Sequence, residues 1–181
     1  MEWGGEPSTI SKFGEYSYSS GSLTLQNFNI QTFLNRKEWT IEFWVYYINQ
    51  VYYTLLYAPL LQYLPYYQGN YNLFILSSNN RGWDLFPPDS SSATGPMSLN
   101  EWHHVAIVRK NEQCKRFHDG ILVKTQNFGS AYITSGSDFT ISANNCYIDD
   151  FRMSDIARYD GNFTPEQYVL NDIVYSDLLF K

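Results

Sequence analysis

The sequence is short of positive charge. It contains 12 Lys and Arg against 18 Asp and Glu, which gives a net charge of −6 and a pI near 4.9. No stretch of the chain concentrates the basic residues. Because nucleic-acid binding depends on clustered Lys and Arg that neutralise phosphates, we expect no nucleic-acid partner.

Cysteines and long apolar runs are scarce as well. Cys114 and Cys146 are too few for a disulfide framework, so we expect two reduced, partly buried thiols. The longest apolar stretch, residues 52–67, is broken by two prolines and a glutamine and is too short to span a bilayer. The first residues do not have the basic and apolar segments of a secretory signal. We therefore expect neither export nor a membrane partner.

Aromatic residues are abundant, with 16 Tyr, 12 Phe and 5 Trp. They fit a pleated, half-buried surface and so favour strands. Between residues 39 and 46 the side chains alternate, and Trp39, Ile41, Phe43 and Val45 fall on one face. Many short strands, frequent turns and little helix predict an all-β fold, an antiparallel two-sheet β-sandwich, as one domain over residues 1–181.

Turn chemistry places several elements. The pair Asp119-Gly120 between β-prone runs predicts a two-residue hairpin turn that pairs residues 115–118 with 121–124. Helix is expected only as short turns, at 155–158 and from Thr164, where Thr-Pro-Glu resembles a helix start. The alternating or apolar runs predict further strands over 22–26, 71–76, 105–108, 139–142, 147–153 and 173–180.

Three segments, taken together, resemble a known family. Residues 39–45 (WTIEFWV) are similar to its FTIEFWV strand. Residues 99–109 (LNEWHHVAIVR), followed by Asp119-Gly120, are similar to its WHHVAVVR and YVDG motifs. Residues 147–165 are similar to its IDDFRISNVARYTGNFTP, and residues 176–180 to its last strand. Over residues 20–181 the chain thus resembles the concanavalin A-like lectin/glucanase superfamily, in its laminin G-like branch.

The resemblance implies a concanavalin A-like jelly roll but does not fix a function. Within that fold, residues 1–20 are expected to form an N-terminal extension, 46–71 a Tyr-rich insertion and 165–181 a C-terminal strand and tail. Members of the superfamily include glucanases, sugar-binding lectins and adhesion modules. Jelly rolls of this type also resemble parts of phage structural proteins.

The sequence argues against a glucanase site. That chemistry needs two carboxylates about 5 Å apart in one groove. Glu38 and Glu42 share a strand face but are separated by roughly 13 Å at the rise of a strand. Asp149 and Asp150 are adjacent and point to opposite faces. We therefore expect no catalytic residues and no enzyme, with a glycoside hydrolase as the least favoured alternative.

Metal binding is not expected either. Asp149 shares an alternating face with Tyr147, Phe151 and Met153, so we expect a buried carboxylate that accepts backbone or Trp N–H bonds. The alternative is a Ca²⁺ ligand, although no visible acidic cluster supplies six to eight oxygens. The spacing of three histidines and a cysteine, His103, His104, Cys114 and His118, fits no zinc motif. It suggests no Ser-His-Asp or Cys-His arrangement.

The Tyr-rich insertion is the predicted binding site. Tyrosine offers a flat apolar face and a hydroxyl, which suit both sugar stacking and protein interfaces. The candidate residues, in or beside predicted loops, are Tyr66, Tyr67, Tyr71 and Trp83.

Two functions remain open. In the first, the protein is a phage virion accessory, a capsid decoration or tail-fibre component that assembles with itself or with other virion proteins through its aromatic surface. In the second, it is a lectin-like module that recognises a cell-surface glycan. Neither function requires a cofactor.

Overall fold

The computed structural model describes residues 2–3, 6–19, 21–25, 30–49, 52–57, 60–61, 70–71, 74–77, 83–85, 97–127, 139–143, 145–166 and 178–180. These residues form strands almost throughout, with one short helix, α1 (Ile30–Leu34). The strands are β1 (Glu2–Trp3), β2 (Glu6–Ser8), β3 (Ser17–Ser19), β4 (Ser22–Leu25), β5 (Glu38–Tyr47), β6 (Tyr52–Tyr57), β7 (Leu60–Leu61), β8 (Asn70–Tyr71), β9 (Phe74–Ser77), β10 (Trp83–Leu85), β11 (Trp102–Lys110), β12 (Gln113–His118), β13 (Ile121–Asn127), β14 (Phe139–Ser142), β15 (Cys146–Ser154) and β16 (Leu178–Phe180).

The strands form two main sheets and one small ribbon. One sheet has the order β1-β4-β14-β6-β9-β10. The other has the order β13-β12-β11-β5-β15-β3-β2, with β16 also paired to β15, and β7 pairs with β8. Every described strand pair is antiparallel, which confirms the predicted all-β, two-sheet sandwich.

The long strand β5 lies at the centre of the larger sheet, between β11 and β15. Successive side chains of β5 point to opposite faces of the sheet, as predicted, and both faces are buried. We call the face with Trp39, Ile41, Phe43 and Val45 the inner face, and the face with Thr40 and Glu42 the outer face. Strands buried on both faces need cover from two layers. On the inner face, Trp39 packs against Phe33 of α1.

A C-terminal segment, residues 156–163, covers much of the outer face. The Thr40 hydroxyl donates to the carbonyl of Ile156 at 2.7 Å. Farther along this segment, Tyr159 and Phe163 stack on each other, with 3.5 Å between ring centroids. Together they pack on a buried cluster from β11 and β12, formed by Ala106, Val108 and Phe117. The segment that resembles the family motif ARYTGNFTP thus completes the core of this sheet.

The hairpin between β12 and β13 forms as predicted. Asp119 and Gly120 have φ values of 49° and 77°, the left-handed pair that a type I′ turn requires. The backbone of Phe163 approaches the turn so closely that a Cβ on Gly120 would lie 2.0 Å from the Phe163 carbonyl oxygen. Gly120 therefore serves both the turn and the docking of the C-terminal segment.

A bulge in β15 overturns one expectation from strict alternation. The register with β5 shifts between Asp149 and Arg152, and Asp150 has a φ of 46°. Asp149 consequently pairs with Trp44 on the outer face, whereas Phe151 stacks on Phe43 of the inner face. The prediction that Asp149 shares a face with Phe151 and Met153 was wrong, because the extra residue of a bulge inverts the alternation beyond it.

Helix placement also differs from the prediction. Residues 155–158 form bends and loop, without the short helical turn expected there. The turn expected from Thr164 lies mostly outside the described residues. The described helix is instead α1, whose last residue, Leu34, accepts hydrogen bonds at its carbonyl from Trp39 Nε1 and Arg109. Within the described residues, no helix has the length and apolar character needed to cross a membrane.

Candidate functional site

The aromatic residues proposed from the sequence stay a prediction. Tyr66 and Tyr67 lie outside the described residues. Tyr71 belongs to β8 of the small ribbon and Trp83 to β10 at the edge of the six-stranded sheet. Their side chains lie outside the described part of the structure, so no contact between them is established.

An open polar groove lies where β11, β12 and β13 meet the loop after α1. We call it the strand-end groove; it has a volume of about 750 Å³. Its lining is almost entirely charged or amide-bearing: Asn35, Lys37, Arg109, Lys110, Asn111, Glu112, Gln113, Lys115, Asn127 and Asp160. Sequence reasoning missed this groove, because its residues come from four separate chain segments.

Backbone contacts hold one wall of the groove. Asn111, with a φ of 56°, donates its N–H to the carbonyl of Lys37 at 2.7 Å. Arg109 is 6% exposed and donates to the carbonyls of Asn111 and Leu34 at 3.0 and 2.8 Å. Lys37 itself is exposed and forms no ion pair with any residue that the structure describes. Its ammonium group is therefore available to a ligand.

Asp160 holds two lysines on the opposite wall. Lys115 donates to the Asp160 carbonyl at 2.7 Å and to its carboxylate, and Lys110 lies 3.5 Å from that carboxylate. The hydrogen bond from Lys115 and the charges of both lysines lower the pKa of Asp160 below its usual value. The groove thus carries four cations and two acids in a chain that is acidic overall.

A second polar group lies at the opposite end of β11 and β12. It comprises His103, His118 and Asp119, and we call it the hairpin cluster. The register places Val105 opposite His118, so His103, two residues earlier on the same face, is a diagonal neighbour of His118. The imidazole rings lie 4.9 Å apart between centroids. The type I′ turn brings Asp119 beside both.

The three side chains are within hydrogen-bond distance of one another. His103 Nδ1 lies 2.9 Å from Asp119 Oδ2 and 3.1 Å from His118 Nε2, and His118 Nε2 lies 3.3 Å from the same Oδ2. The other oxygen, Oδ1, accepts the backbone N–H of His104 at 2.7 Å. Asp119 is therefore fixed with one oxygen directed at the histidines.

The contacts within the cluster shift the pKa values of its three side chains, and those of the two histidines move in opposite directions. Burial disfavours charged His103, but the hydrogen bond and charge of Asp119 outweigh it and raise the pKa of His103 above 6.5. Burial, together with the neighbouring His103, lowers the pKa of His118 below 6.5. For Asp119, burial is outweighed by the hydrogen bonds from His103 and the His104 amide, which lower its pKa below 3.8.

Ser98 extends the cluster beyond His103. Its Oγ lies 3.0 Å from His103 Nε2 and donates to the carboxylate of Glu101. The structure thus brings Ser98, His103 and Asp119 into a hydrogen-bonded row that the sequence spacing did not suggest.

Glu42 and Asp149, which were considered as possible catalytic carboxylates, are held in other hydrogen bonds. Glu42 is fully buried and accepts bonds from Arg152 at 2.6 Å and from Tyr159 at 2.8 Å. Asp149 accepts the backbone N–H groups of Lys12 and Phe13 at 2.9 and 3.1 Å. The expectation that backbone N–H groups satisfy a buried Asp149 is confirmed, whereas its calcium alternative stays untested.

The comparisons with known proteins concern the fold. The family model Laminin_G_3, described as concanavalin A-like lectin/glucanases superfamily, matches residues 17–167. No curated protein sequence matches the chain. The chain is similar to Trypanosoma rangeli sialidase in complex with the inhibitor DANA, at 16% identity and a TM-score of 0.56, over 82% of this chain and 26% of that one. It is also similar to that sialidase in complex with sialic acid, at 16% identity and a TM-score of 0.54, over 80% and 26% of the two chains.

A toxin domain shares the architecture too. The binding domain of botulinum neurotoxin DC in complex with SialylT has 17% identity and a TM-score of 0.53, over 87% of this chain and 43% of that one. This chain spans about a quarter of the sialidase chains and less than half of the toxin chain. At such identities the likeness establishes the fold, which enzymes and binding domains share. By its family match over residues 17–167, the chain belongs to the concanavalin A-like lectin/glucanases superfamily, as a laminin G-like domain.

Proposed function

We propose that this domain is a non-catalytic binding module and that its strand-end groove binds an acidic glycan. The observation that carries the proposal is the composition of the groove. Four of the 12 Lys and Arg residues line this one concavity, although the chain has a net charge of −6. Four side-chain amides add donors and acceptors that match sugar hydroxyls.

The arrangement suits a carboxylated sugar. Lys37 is exposed at one wall, and Lys110 and Lys115 are positioned by Asp160 at the other. Charge-assisted hydrogen bonds from ammonium groups to a carboxylate are stronger than neutral ones, which gives an acidic sugar an advantage over a neutral one. Structures similar to this fold were solved with sialic acid and with SialylT, which supports this ligand class.

The environments of Asp160 and Glu42 favour a binding role over a catalytic one. A general acid needs a raised pKa, whereas the lysines lower the pKa of Asp160. Glu42 is buried in contacts with Arg152 and Tyr159 and does not line the groove.

Calorimetric titration of a sialylated oligosaccharide and its desialylated counterpart tests the proposal. We expect the sialylated sugar to bind at least tenfold more tightly, and Lys37→Glu to weaken that binding by a similar factor. Lys124→Glu makes the same charge change on β13 outside the groove and should leave the affinity within about twofold. Absence of binding, or equal effects of the two variants, would contradict the proposal.

The virion role and self-assembly expected from the sequence remain a second proposal. They rest on the Tyr-rich insertion, residues 46–71, and on the resemblance to phage structural proteins. Light scattering on the wild type and on a Tyr66→Ser/Tyr67→Ser variant tests them. An oligomer that dissociates in the variant supports assembly through this segment, and a monomer in both refutes it.

A further inference from the structure

The hairpin cluster brings three atoms that are able to bind a metal ion close together. His103 Nδ1, His118 Nε2 and Asp119 Oδ2 form a triangle with sides of 2.9, 3.1 and 3.3 Å. Each of these atoms carries a lone pair when its group is in the basic form. Three lone pairs that converge at such distances repel one another unless protons or a metal ion lie among them.

Protons leave the two imidazoles crowded. Asp119 Oδ2 lies 2.9 Å from His103 Nδ1 and 3.3 Å from His118 Nε2, so it can accept from either ring nitrogen that carries a hydrogen. The two ring nitrogens are only 3.1 Å apart, so hydrogens on both of them lie close together.

A metal ion satisfies all three atoms at once. Tetrahedral zinc binds imidazole nitrogen and carboxylate oxygen at about 2.0–2.1 Å, which places neighbouring ligand atoms about 3.3–3.4 Å apart. The sides of the triangle are within a few tenths of an ångström of that spacing. Opening it slightly requires only small side-chain rotations.

The surroundings are those of a supported ligand set. Ser98 Oγ lies 3.0 Å from His103 Nε2, so with a metal ion on Nδ1 the Nε2 hydrogen would be donated to Ser98 and would fix the ring. Asp119 is held through Oδ1 by the His104 amide, so Oδ2 is preset. His103 is 8% exposed at its side chain, His118 17% and Asp119 47%, so the cluster opens to solvent on the side of Asp119.

We propose that His103, His118 and Asp119 bind one divalent transition-metal ion, with Zn²⁺ as the preferred ion and water as the fourth ligand. Imidazole ligands select zinc and its neighbours over calcium and magnesium, which require oxygen. The open fourth position distinguishes the cluster from a closed structural zinc site. This inference is independent of the glycan proposal, because the strand-end groove lies at the other end of the same two strands.

Titration of the chelator-treated protein with Zn²⁺, followed by calorimetry, tests the site. We expect one equivalent to bind and to raise the melting temperature, because the ion binds the folded chain. Substitution of Co²⁺ should give the intense visible absorption of tetrahedral coordination. Failure to bind one equivalent, or a purely octahedral Co²⁺ spectrum, would overturn the proposal.

Three variants identify the ligands. Asp119→Asn keeps the Oδ1 acceptor and tolerates the positive φ, so the turn is expected to survive while zinc affinity falls at least tenfold. His118→Gln should have the same effect, and Ser98→Ala a loss of about tenfold through the orientation of His103. Asp160→Asn, in the strand-end groove, is the control and should bind zinc as the wild type does. Equal affinity in all four proteins would refute the assignment, with circular dichroism confirming that each is folded.

Discussion

Glu42 is a carboxylate with no solvent exposure, and its environment explains how the outer face tolerates charge. Arg152 donates to it through Nε and a terminal nitrogen, at 3.0 and 2.6 Å. Tyr159 donates at 2.8 Å, and His104 Nε2 lies 3.4 Å away. A buried ion is stable only when it is paired and its lone pairs are satisfied, and Glu42 meets both conditions.

Replacing Glu42 by Gln should destabilise the fold strongly. The amide keeps the shape but leaves Arg152, which is 5% exposed, without its counter-charge. We expect the free energy of unfolding to fall by about 3 kcal/mol, as for other buried pairs that lose one partner. Urea denaturation measures the change. Glu38→Gln, the same substitution at the exposed start of β5, should alter it by less than about 0.5 kcal/mol, and equal losses would refute this account.

Individual residues show where sequence reasoning succeeds. The burial of Asp149 against backbone N–H groups could be predicted, because a carboxylate among apolar neighbours must find donors. Its face could not, because nothing in the pair Asp149-Asp150 reveals that Asp150 adopts a positive φ and forms a bulge. The contact of His103 with His118 could be derived once the β11–β12 register is known, but separation along the chain alone conceals it.

Among the elements, the β12–β13 hairpin links the hairpin cluster to the C-terminal segment. Its turn carries Asp119 of the hairpin cluster, and its glycine receives the C-terminal segment. Phe163 donates its N–H to the Gly120 carbonyl at 2.9 Å, and Leu122 donates to the Asn162 side chain at 2.8 Å. The motif Asn-Phe-Thr-Pro is thereby a docking element for this hairpin.

Gly120→Ala should therefore be severely destabilising. The added methyl group would meet the Phe163 carbonyl at 2.0 Å, and the φ of 77° disfavours any residue with a Cβ. We expect a loss of about 3 kcal/mol from the strain and the displaced segment. Gly161→Ala, where an added Cβ meets nothing within 4 Å, is the matched control and should be close to neutral. Similar melting temperatures for both variants would contradict the assigned role of Gly120.

The hairpin and the groove differ in how far the sequence determines them. The hairpin is predictable because two adjacent residues, Asp119 and Gly120, contain the whole signal. The strand-end groove depends on which strands lie side by side and on where Asp160 returns to the sheet. Such long-range placement leaves no local pattern, and the same holds for α1, whose five residues carry no distinct helical periodicity.

At the scale of the whole molecule, the reactivity of the two buried cysteines is a probe of whether the sandwich is folded. Cys114 lies in β12 and Cys146 in β15, with β11 and β5 between them. Their registers fall at opposite ends of β5, at Trp39 and Tyr47, so roughly 30 Å of sheet separates the two residues. This distance is too long for a disulfide, and both cysteines are free and buried, as expected for reduced thiols. Burial raises the pKa of each thiol to about 12.

Alkylation of these thiols should therefore require unfolding. At pH 8 to 9 the native thiols stay protonated and inaccessible, whereas the unfolded chain, with a thiol pKa near 8.5, reacts readily. We expect iodoacetamide to modify neither cysteine within the time that modifies both in urea, as measured by intact mass. Raising the pH from 9 towards 12 should also weaken the fold, because only the unfolded chain releases these protons. Rapid modification of the native protein at pH 8 would contradict the described burial.

The position of β5 has a consequence for biosynthesis. Its two neighbours, β11 and β15, begin at residues 102 and 146, far behind its own end at residue 47. At about 5–20 residues per second, the ribosome takes on the order of 5–20 s to translate from the end of β5 to the start of β15. During that interval the most apolar strand of the larger sheet has at least one unpaired edge. In a nascent chain this edge of β5 therefore stays unpaired until the last fifth of the sequence, which begins with β15, is translated.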